Sequence, residues 1–292
     1  MRGTKVGDST SPLMLRRRLR NELRTARLDR ELTQEQVARA MDWSLSKMNR
    51  IEKAKTGIST NDLKALLPFY GITDGGRTEA LLALAREARQ SPWWRSYSDI
   101  APTTLLELID YETAASAISQ FEPLLVPGIL QTEDYARAVL RVFQGEGSPA
   151  ERVPALVELR TRRRDLLNDE NAPDFSFVLD EAVIRRPAVN GEVMRQQLTH
   201  LVDLADQKNV TIQVVPFNAG LYPGIKGPFK VIEFDGEPDE SVAFLEGPRG
   251  DTIIEEPEET EVYLDAFRRI EQLALKPGES VDLLRKVAAK ED

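Results

Sequence analysis

Residues 32–53 read LTQEQVARAMDWSLSKMNRIEK and predict two short helices joined by a tight turn. Thr33 and Gln36 fit a capping box, in which the hydroxyl and the amide satisfy each other's free backbone N–H groups. Leu32 before the cap and Val37 beyond it fit the hydrophobic staple that sets how the chain enters a helix. The first helix of the pair therefore begins after Thr33, and the second follows the turn.

The second helix of the pair, residues 45–53, is predicted to be amphipathic. At about 100° per residue, Met48 and Ile51 fall on one side. The opposite side is polar without being acidic, and Leu45 lies on its flank. A face of this kind suits the major groove of DNA. There Arg reads guanine, Asn reads adenine, Ser is permissive and an apolar side chain contacts the thymine methyl. The predicted base contacts are Leu45, Ser46, Asn49 and Arg50, and the predicted phosphate contacts on the same segment are Lys47, Lys53 and Lys55.

A simpler interpretation of the same pattern is a helical hairpin whose exposed face only keeps the protein in solution. Three further helices are predicted around the pair. Pro12 after Ser11 begins one helix at a position where its missing N–H costs nothing. Ser59 and Asp62 form a second capping box, and residues 77–89 form the fifth helix. The caps, the turn and the local charge together favour DNA binding.

The charge is divided unevenly along the chain. The first 60 residues hold 14 Lys and Arg and 7 Asp and Glu, a net charge of +7. Of the totals of 39 basic and 48 acidic residues, 25 and 41 remain for the rest, a net charge of -16. A basic module on an acidic body is attracted to polyanions without spreading over nucleic acid indiscriminately.

Length and composition exclude several classes of protein. The 292 residues, at roughly 150 per domain, indicate two domains. With no Cys and one His, disulfides, thiolate zinc sites, iron-sulfur clusters and multi-His metal sites are excluded. No apolar run approaches the ~20 residues of a membrane span, and the first ten residues lack the apolar core of a signal peptide. We therefore expect a cytoplasmic protein with no membrane partner.

Residues 32–41, followed by Trp43-Ser44 and residues 48–52, resemble the helix-turn-helix of the Cro/phage-repressor (XRE) type. The resemblance covers residues 12 to about 72. It implies that Gln34 clamps a phosphate and that Arg27 and Glu52 form a structural ion pair between the first helix and the recognition helix. Asp42 replaces the Gly usual at the turn, a position that favours positive φ, and Asp tolerates that conformation better than most residues.

The rest of the chain predicts a larger α/β (α+β) domain with a mixed sheet of about five short strands. We expect a disordered tail at 1–11, a helix-turn-helix domain of five helices at 12–90, a connector at 91–103 and a sensing and dimerisation domain at 104–292. The helices expected in this domain are 104–119, 132–143, 149–167, 191–207, 258–275 and 279–289. The expected strands are 175–179, 210–216, 228–234, 242–245 and 252–255.

Residues 121–136 closely resemble the opening of the C-terminal domain in the WhiJ-like regulators, a large actinobacterial family. Residues 179–187, 210–217, 227–229 and 244–246 match the same pattern, so the resemblance extends over essentially the whole chain. It implies a one-component transcription regulator, often encoded beside a very small partner protein in an arrangement likened to toxin and antitoxin. The resemblance supplies a class of protein and no ligand.

The helix 149–167 carries arginines where its apolar face would continue. A partly buried guanidinium requires an anion, and we expect this to be Asp180 or Glu181, with a carboxylate or phosphate of a ligand or partner as the alternative. Asp180 and Glu181 are adjacent on a strand and therefore poorly placed to act as an acid/base pair. The candidate ligand or partner site consists of Arg160, Arg164, Glu181 and His200.

The sequence favours a sequence-specific transcription regulator acting as a homodimer on double-stranded DNA with a palindromic operator. The alternative is an antitoxin-like module whose main role is to bind a small partner protein encoded nearby. An enzyme is disfavoured, because no nucleophile motif, metal set or cofactor fingerprint is present. We therefore expect no catalytic residues, no metal and no cofactor.

Overall fold

The computed structural model describes residues 12–53, 56–144, 149–186, 189–235, 241–247 and 250–290. The chain divides into two compact units, residues 1–95 and residues 96–292. A short 3-10 helix, Trp93–Tyr97, spans the division within the predicted connector. The tail predicted to be disordered lies outside the described residues.

The N-terminal unit is a bundle of five α-helices, as predicted. They are α1 (Pro12–Asp29), α2 (Gln34–Ala40), α3 (Leu45–Glu52), α4 (Thr60–Phe69) and α5 (Gly75–Glu87). One apolar core joins all five helices, and its largest fully buried side chains are Met48, Leu63, Leu66 and Leu67. Burial of this apolar surface is the main force that holds the bundle together.

Side-chain caps fix where these helices begin. The Thr33 hydroxyl accepts from the Gln36 amide N–H at 3.2 Å, and the Thr33 N–H donates to Gln36 Oε1 at 2.8 Å, so the predicted capping box is present. Ser59 accepts from the Asp62 backbone N–H at 3.0 Å and supplies half of the second predicted box. Each cap satisfies a backbone donor that has no partner inside the helix.

The C-terminal unit combines helices with one sheet. Its α-helices are α6 (Thr103–Ala114), α7 (Glu133–Gln144), α8 (Arg152–Arg164), α9 (Glu181–Arg185), α10 (Gly191–Leu204), α11 (Pro257–Leu273) and α12 (Pro277–Ala288). Its strands are β1 (Ala117–Glu122), β2 (Asp174–Asp180), β3 (Val210–Val215), β4 (Phe229–Glu233), β5 (Val242–Leu245) and β6 (Thr252–Ile254). The predicted fold class is confirmed, with six strands in the sheet.

The sheet is mixed and has the order β3-β2-β1-β4-β5-β6. Strands β1, β2 and β3 pair in parallel, whereas β4 is antiparallel to both β1 and β5, and β6 is antiparallel to β5. The helix predicted over 104–119 is wrong in its last five residues, because α6 ends at Ala114 and β1 begins at Ala117. This additional strand is central to the sheet.

The two faces of β1 have different surroundings. Phe121 belongs to an apolar cluster that includes Leu264, Phe267 and Ile270 of α11. Side chains alternate along a strand, so Gln120 and Glu122 point to the other face. In the β1·β4 register, Gln120 lies opposite Lys230, which bonds with Glu112 of α6. One face of β1 is therefore apolar and the other carries buried polar groups.

Candidate functional site

The turn between α2 and α3 is compact. Asp42 has a φ of 53°, the left-handed conformation expected at this position. The Trp43 N–H donates to the Ala38 carbonyl at 2.8 Å, and the Ser44 hydroxyl accepts from the Lys47 N–H at 3.1 Å, so α3 begins with a side-chain cap. These contacts set the angle between the two helices without a glycine in the turn.

Helix α3 is amphipathic in the way the sequence predicts. Met48 is 1% exposed and Ile51 is also buried, whereas Leu45 is 45% exposed. The other residues of the outer face that are exposed are Ser46, Asn49, Arg50 and Lys53. The outer face of α3, defined by these four residues and Leu45, presents an apolar flank, amide and hydroxyl groups and two cations.

A buried ion pair anchors α3 to α1. Arg27 Nε donates to Glu52 Oε1 at 2.5 Å, and Arg27 Nη2 donates to Glu52 Oε2 at 3.0 Å. The hydrogen bonds to Glu52 raise the pKa of Arg27 above its ordinary value. Arg27 Nη1 also donates to the Leu32 carbonyl at 2.5 Å, so the same guanidinium orders the chain before α2.

The same carboxylate also holds Gln34, the first residue of α2. Gln34 Nε2 donates to Glu52 Oε2 at 2.6 Å. A primary amide has two N–H donors, and this bond uses one of them. This bond leaves the other N–H of Gln34 unused, and the phosphate contact of Gln34 stays a prediction.

Lys47, a predicted phosphate contact, has partners within the N-terminal unit. Its Nζ donates to Asp62 Oδ2 at 3.0 Å and lies 4.2 Å from the centroid of the Trp43 ring. Partial burial of Asp62 opposes its ionisation, but the hydrogen bonds from Lys47 and Ser59 lower its pKa overall. The ammonium of Lys47 therefore has an internal carboxylate partner, whereas Lys53, which follows α3, is exposed. Lys55 lies outside the described residues.

In the C-terminal unit, three of the four predicted ligand or partner residues lie around the segment after β1. Arg160 Nη1 donates to Gln131 Oε1 at 2.5 Å, and Arg164 Nη1 lies 3.5 Å from the Gln131 carbonyl oxygen. Burial and the nearby charge of Arg164 lower the pKa of His200, whose Nε2 is buried without a hydrogen-bond partner. Arg160, Arg164 and His200 therefore share one neighbourhood.

Glu181 is placed differently, and the expected pairing of Arg160 with Asp180 or Glu181 is wrong. Glu181 accepts from Arg185 Nε at 2.5 Å and from the Phe217 N–H at 2.8 Å. Asp180 caps α9 through the Ala182 N–H at 2.7 Å. Both carboxylates are occupied at the end of β2, where Asp180 also accepts from the Tyr222 hydroxyl, and neither bonds with α8.

The carboxylate that neutralises α8 is Glu112 of α6, which sequence reasoning missed. Arg163 donates to it through Nε at 2.5 Å and through Nη2 at 2.6 Å, and Lys230 Nζ donates to the same carboxylate. Burial opposes the ionisation of Glu112, but the two cations lower its pKa overall. The signal in the sequence is that Gln120, Glu122 and Lys230 interrupt otherwise apolar segments.

The described residues were also compared with the requirements of a metal site and of a membrane-spanning helix. Among the described residues, no group of three or more His, Cys, Asp or Glu side chains is arranged to hold a metal ion. Within the same part of the chain, no helix has both the length and the apolar character needed to cross a membrane.

The fold and the exposed face of α3 define a helix-turn-helix DNA-binding domain, and residues 18–81 match the family described as a helix-turn-helix domain. The chain is a DNA-binding regulator of this class. Residues 105–286 match the family described as a domain of unknown function (DUF5753), and because this match covers more than half of the chain, the chain belongs to that family. Searches of curated proteins and of solved structures gave no significant match.

Proposed function

We propose that the protein is a sequence-specific transcription regulator of the Cro/phage-repressor type, which reads the major groove with α3. The observation that carries this proposal is the outer face of α3, which has no acidic residue and is held on a rigid bundle by the buried Arg27–Glu52 pair. Arg50 and Asn49 supply the donors and acceptors that discriminate guanine and adenine, while Ser46 and Leu45 flank them.

The phosphate contacts are assigned to groups on either side of this face. Gln34 lies at the start of α2, where backbone N–H groups and the helix dipole also favour an anion. Lys53 follows the last turn of α3 and is exposed. Lys55 stays a prediction, and Lys47 contributes less because Asp62 already binds it. The contacts to phosphate fix the orientation of the domain, and the contacts to bases supply specificity.

One helix-turn-helix contacts only a few base pairs, so useful specificity requires two copies. We propose a homodimer on a palindromic operator whose half-sites lie one or more helical turns, about 34 Å each, apart. The C-terminal unit, which resembles the WhiJ-like family of actinobacteria, would supply the dimer contact and receive the regulatory signal from a ligand or a small partner protein. The proposal assigns the C-terminal unit no catalytic activity.

Genomic DNA fragments selected by the purified full-length protein test this function. We expect enrichment of fragments that share two inverted half-sites, with binding that weakens steeply as salt increases because Lys and Arg displace counterions from phosphate. Enrichment without a shared motif would contradict sequence-specific regulation. Absence of any retained DNA at low salt would contradict DNA binding altogether.

Binding of a small protein partner is a second candidate function. It is favoured by an exposed apolar loop in which Leu221 is 92% exposed and Phe217 and Ile225 are also exposed. Exposed apolar side chains close together in the chain are typical of interaction surfaces. Co-expression with the product of a neighbouring short gene tests it. Co-purification that a Leu221→Asp substitution abolishes would support the role, and co-purification unaffected by it would place the partner elsewhere.

A further inference from the structure

At the carboxyl end of β1 lie two buried polar side chains whose hydrogen-bonding capacity is not fully used within the protein. Gln120 and Glu122 are both buried, and Gln120 is only 3% exposed. Gln120 Nε2 donates to Glu122 Oε1 at 2.7 Å, but Gln120 Oε1 has no hydrogen-bond partner. A buried amide oxygen without a partner costs free energy, so its retention in a central strand requires an explanation.

The neighbouring charges do not supply that explanation. Lys230 and Arg163 are both bonded to Glu112, so this trio is satisfied internally. Glu122 receives no hydrogen bond from a cation, and burial together with the charge of Glu246 raises its pKa to about 8. At neutral pH Glu122 is therefore mostly an uncharged carboxylic acid inside the protein.

On α8, Arg160 is a partly buried cation that has no carboxylate partner among the described residues. Its side-chain partner is the neutral amide of Gln131, and no carboxylate of the described residues lies within ion-pair distance of it. Burial and the adjacent Arg163 lower the pKa of Arg160 to about 10. A desolvated guanidinium that has five N–H donors and only one neutral acceptor is suited to bind an anion.

Gln120 lies opposite Lys230 in the sheet, Lys230 and Arg163 bond with the same Glu112, and Arg160 lies one turn before Arg163 on α8. The charge of Glu246 raises the pKa of Glu122 and acts in the same direction on Arg160 and on Lys230. Glu246 follows the end of β5 and is exposed, so the cluster extends from the buried end of β1 to the surface. In the sheet, Leu245 lies opposite Phe229, which lies opposite Phe121, and this places Glu122 and Glu246 at the same edge.

This edge is also where ligands bind in open α/β sheets. From β1 the chain continues to β2 and β3 on one side, and it then returns to form β4 on the other side of β1. Ligands in open α/β sheets bind outside the carboxyl ends of the parallel strands, and the parallel strands β1, β2 and β3 all end at this edge. Glu122 is the last residue of β1, and Gln131 lies in the segment that follows it.

We propose that the cluster of Gln120, Glu122, Arg160 and Glu246 binds a compact zwitterion of the α-amino acid class. The carboxylate of the ligand bonds with Arg160. The ammonium group lies between Glu122 and Glu246 and donates one hydrogen bond to Gln120 Oε1. A single small molecule of this kind gives the guanidinium of Arg160 a counter-charge, places a cation between Glu122 and Glu246 and gives the orphan amide oxygen a hydrogen-bond donor.

Binding moves one proton. At neutral pH the ammonium stabilises the ionised form of Glu122, so the carboxylic acid loses its proton to the buffer as the ligand binds. The other groups that act on Glu122 are Gln120 on β1, Lys230 on β4 and Tyr135 on α7. Binding at pH 7 is therefore accompanied by proton release of up to about one per site.

The experiment screens the common L-α-amino acids one at a time, at millimolar concentration, against the full-length protein by thermal shift and then by calorimetry. We expect at least one to bind, and its carboxamide and its deaminated acid each to bind at least about tenfold more weakly. Arg160→Gln should weaken binding by a similar factor, whereas the matched control Arg162→Gln, on the same helix at an exposed position, should not. Inorganic phosphate and methylamine serve as probes for an anion site or a cation site alone.

Proton release on binding is measured by repeating the calorimetry in two buffers of different ionisation enthalpy. Wild type should release a proton at pH 7, and Glu122→Gln, which mimics the neutral acid and should fold, should bind without release. Failure of every amino acid to bind overturns the proposal, as does binding of phosphate equal to that of the best amino acid. Proton release that persists in Glu122→Gln also overturns it.

Amino-acid binding regulates the protein by altering its affinity for the operator. This consequence rests on the proposed function, whereas the binding itself does not. Binding of the amino acid by a protein that selects no operator would contradict the proposed function alone. Operator selection by a protein that binds no amino acid would contradict the ligand site alone.

Discussion

The guanidinium of Arg27 donates to both carboxylate oxygens of Glu52, 25 residues further along the chain, and joins the first helix of the bundle to the recognition helix. Gln34 bonds with the same carboxylate. The position of the outer face of α3 therefore depends on one buried acid.

Glu52→Gln is expected to destabilise the N-terminal unit by about 3 to 5 kcal/mol, because it leaves Arg27 buried without a counter-charge. The three tryptophans, Trp43, Trp93 and Trp94, all belong to the N-terminal unit, so their fluorescence during urea unfolding reports on this unit. The matched control is Glu22→Gln, which removes the exposed pair with Arg77 and should cost less than about 1 kcal/mol. Equal losses in the two variants would show that the buried pair does not hold the bundle together.

Lys53→Ala is expected to lower the salt dependence of operator binding by about one unit of slope, because an exposed cation on phosphate releases a counterion. Lys47→Ala should change the slope much less, since its ammonium is bonded to Asp62. Binding titrations over a series of salt concentrations measure both. The reverse order of effects would mean that Lys47 leaves Asp62 to reach the DNA.

Glu122 predicts a pH dependence of stability. Its pKa is about 8 in the folded chain, well above the ordinary carboxyl value. Between roughly pH 4.5 and pH 8 the folded state thus binds a proton that the unfolded state has lost, so stability falls as pH rises through this window. The loss is on the order of a few kcal/mol. Calorimetric melting of wild type and of Glu122→Gln checks this: the two should agree near pH 4 and diverge by pH 8, with the variant more stable. Parallel curves would remove Glu122 as the cause.

The N-terminal unit could be predicted well because its signals are local. The Thr33–Gln36 box, the buried Met48 and Ile51 and the left-handed Asp42 all follow from residues within a few positions of one another. Local patterns of this kind do not depend on tertiary contacts and can be recognised in a single sequence. The partner of Gln34 is the exception, because Glu52 reaches it only after α3 has packed.

The site at the end of β1 could not be predicted, for two physical reasons. The segment from Ala114 to Ala117 contains neither Gly nor Pro, so nothing in it marks the end of α6, and the predicted helix runs on into the first three residues of β1. Glu112, Arg163 and Lys230 come from three distant segments and meet only in the folded sheet. Pairing between remote charges leaves no periodic pattern in the chain.

The central claim is that the outer face of α3 reads bases, and Arg50→Ala tests it most directly. Affinity is measured for the selected operator and for a random duplex of the same length at the same salt concentration. The account predicts a loss of about 1 to 3 kcal/mol on the operator and a much smaller loss on the random duplex. Equal losses on the two duplexes would contradict it, because Arg50 would then act only through phosphate.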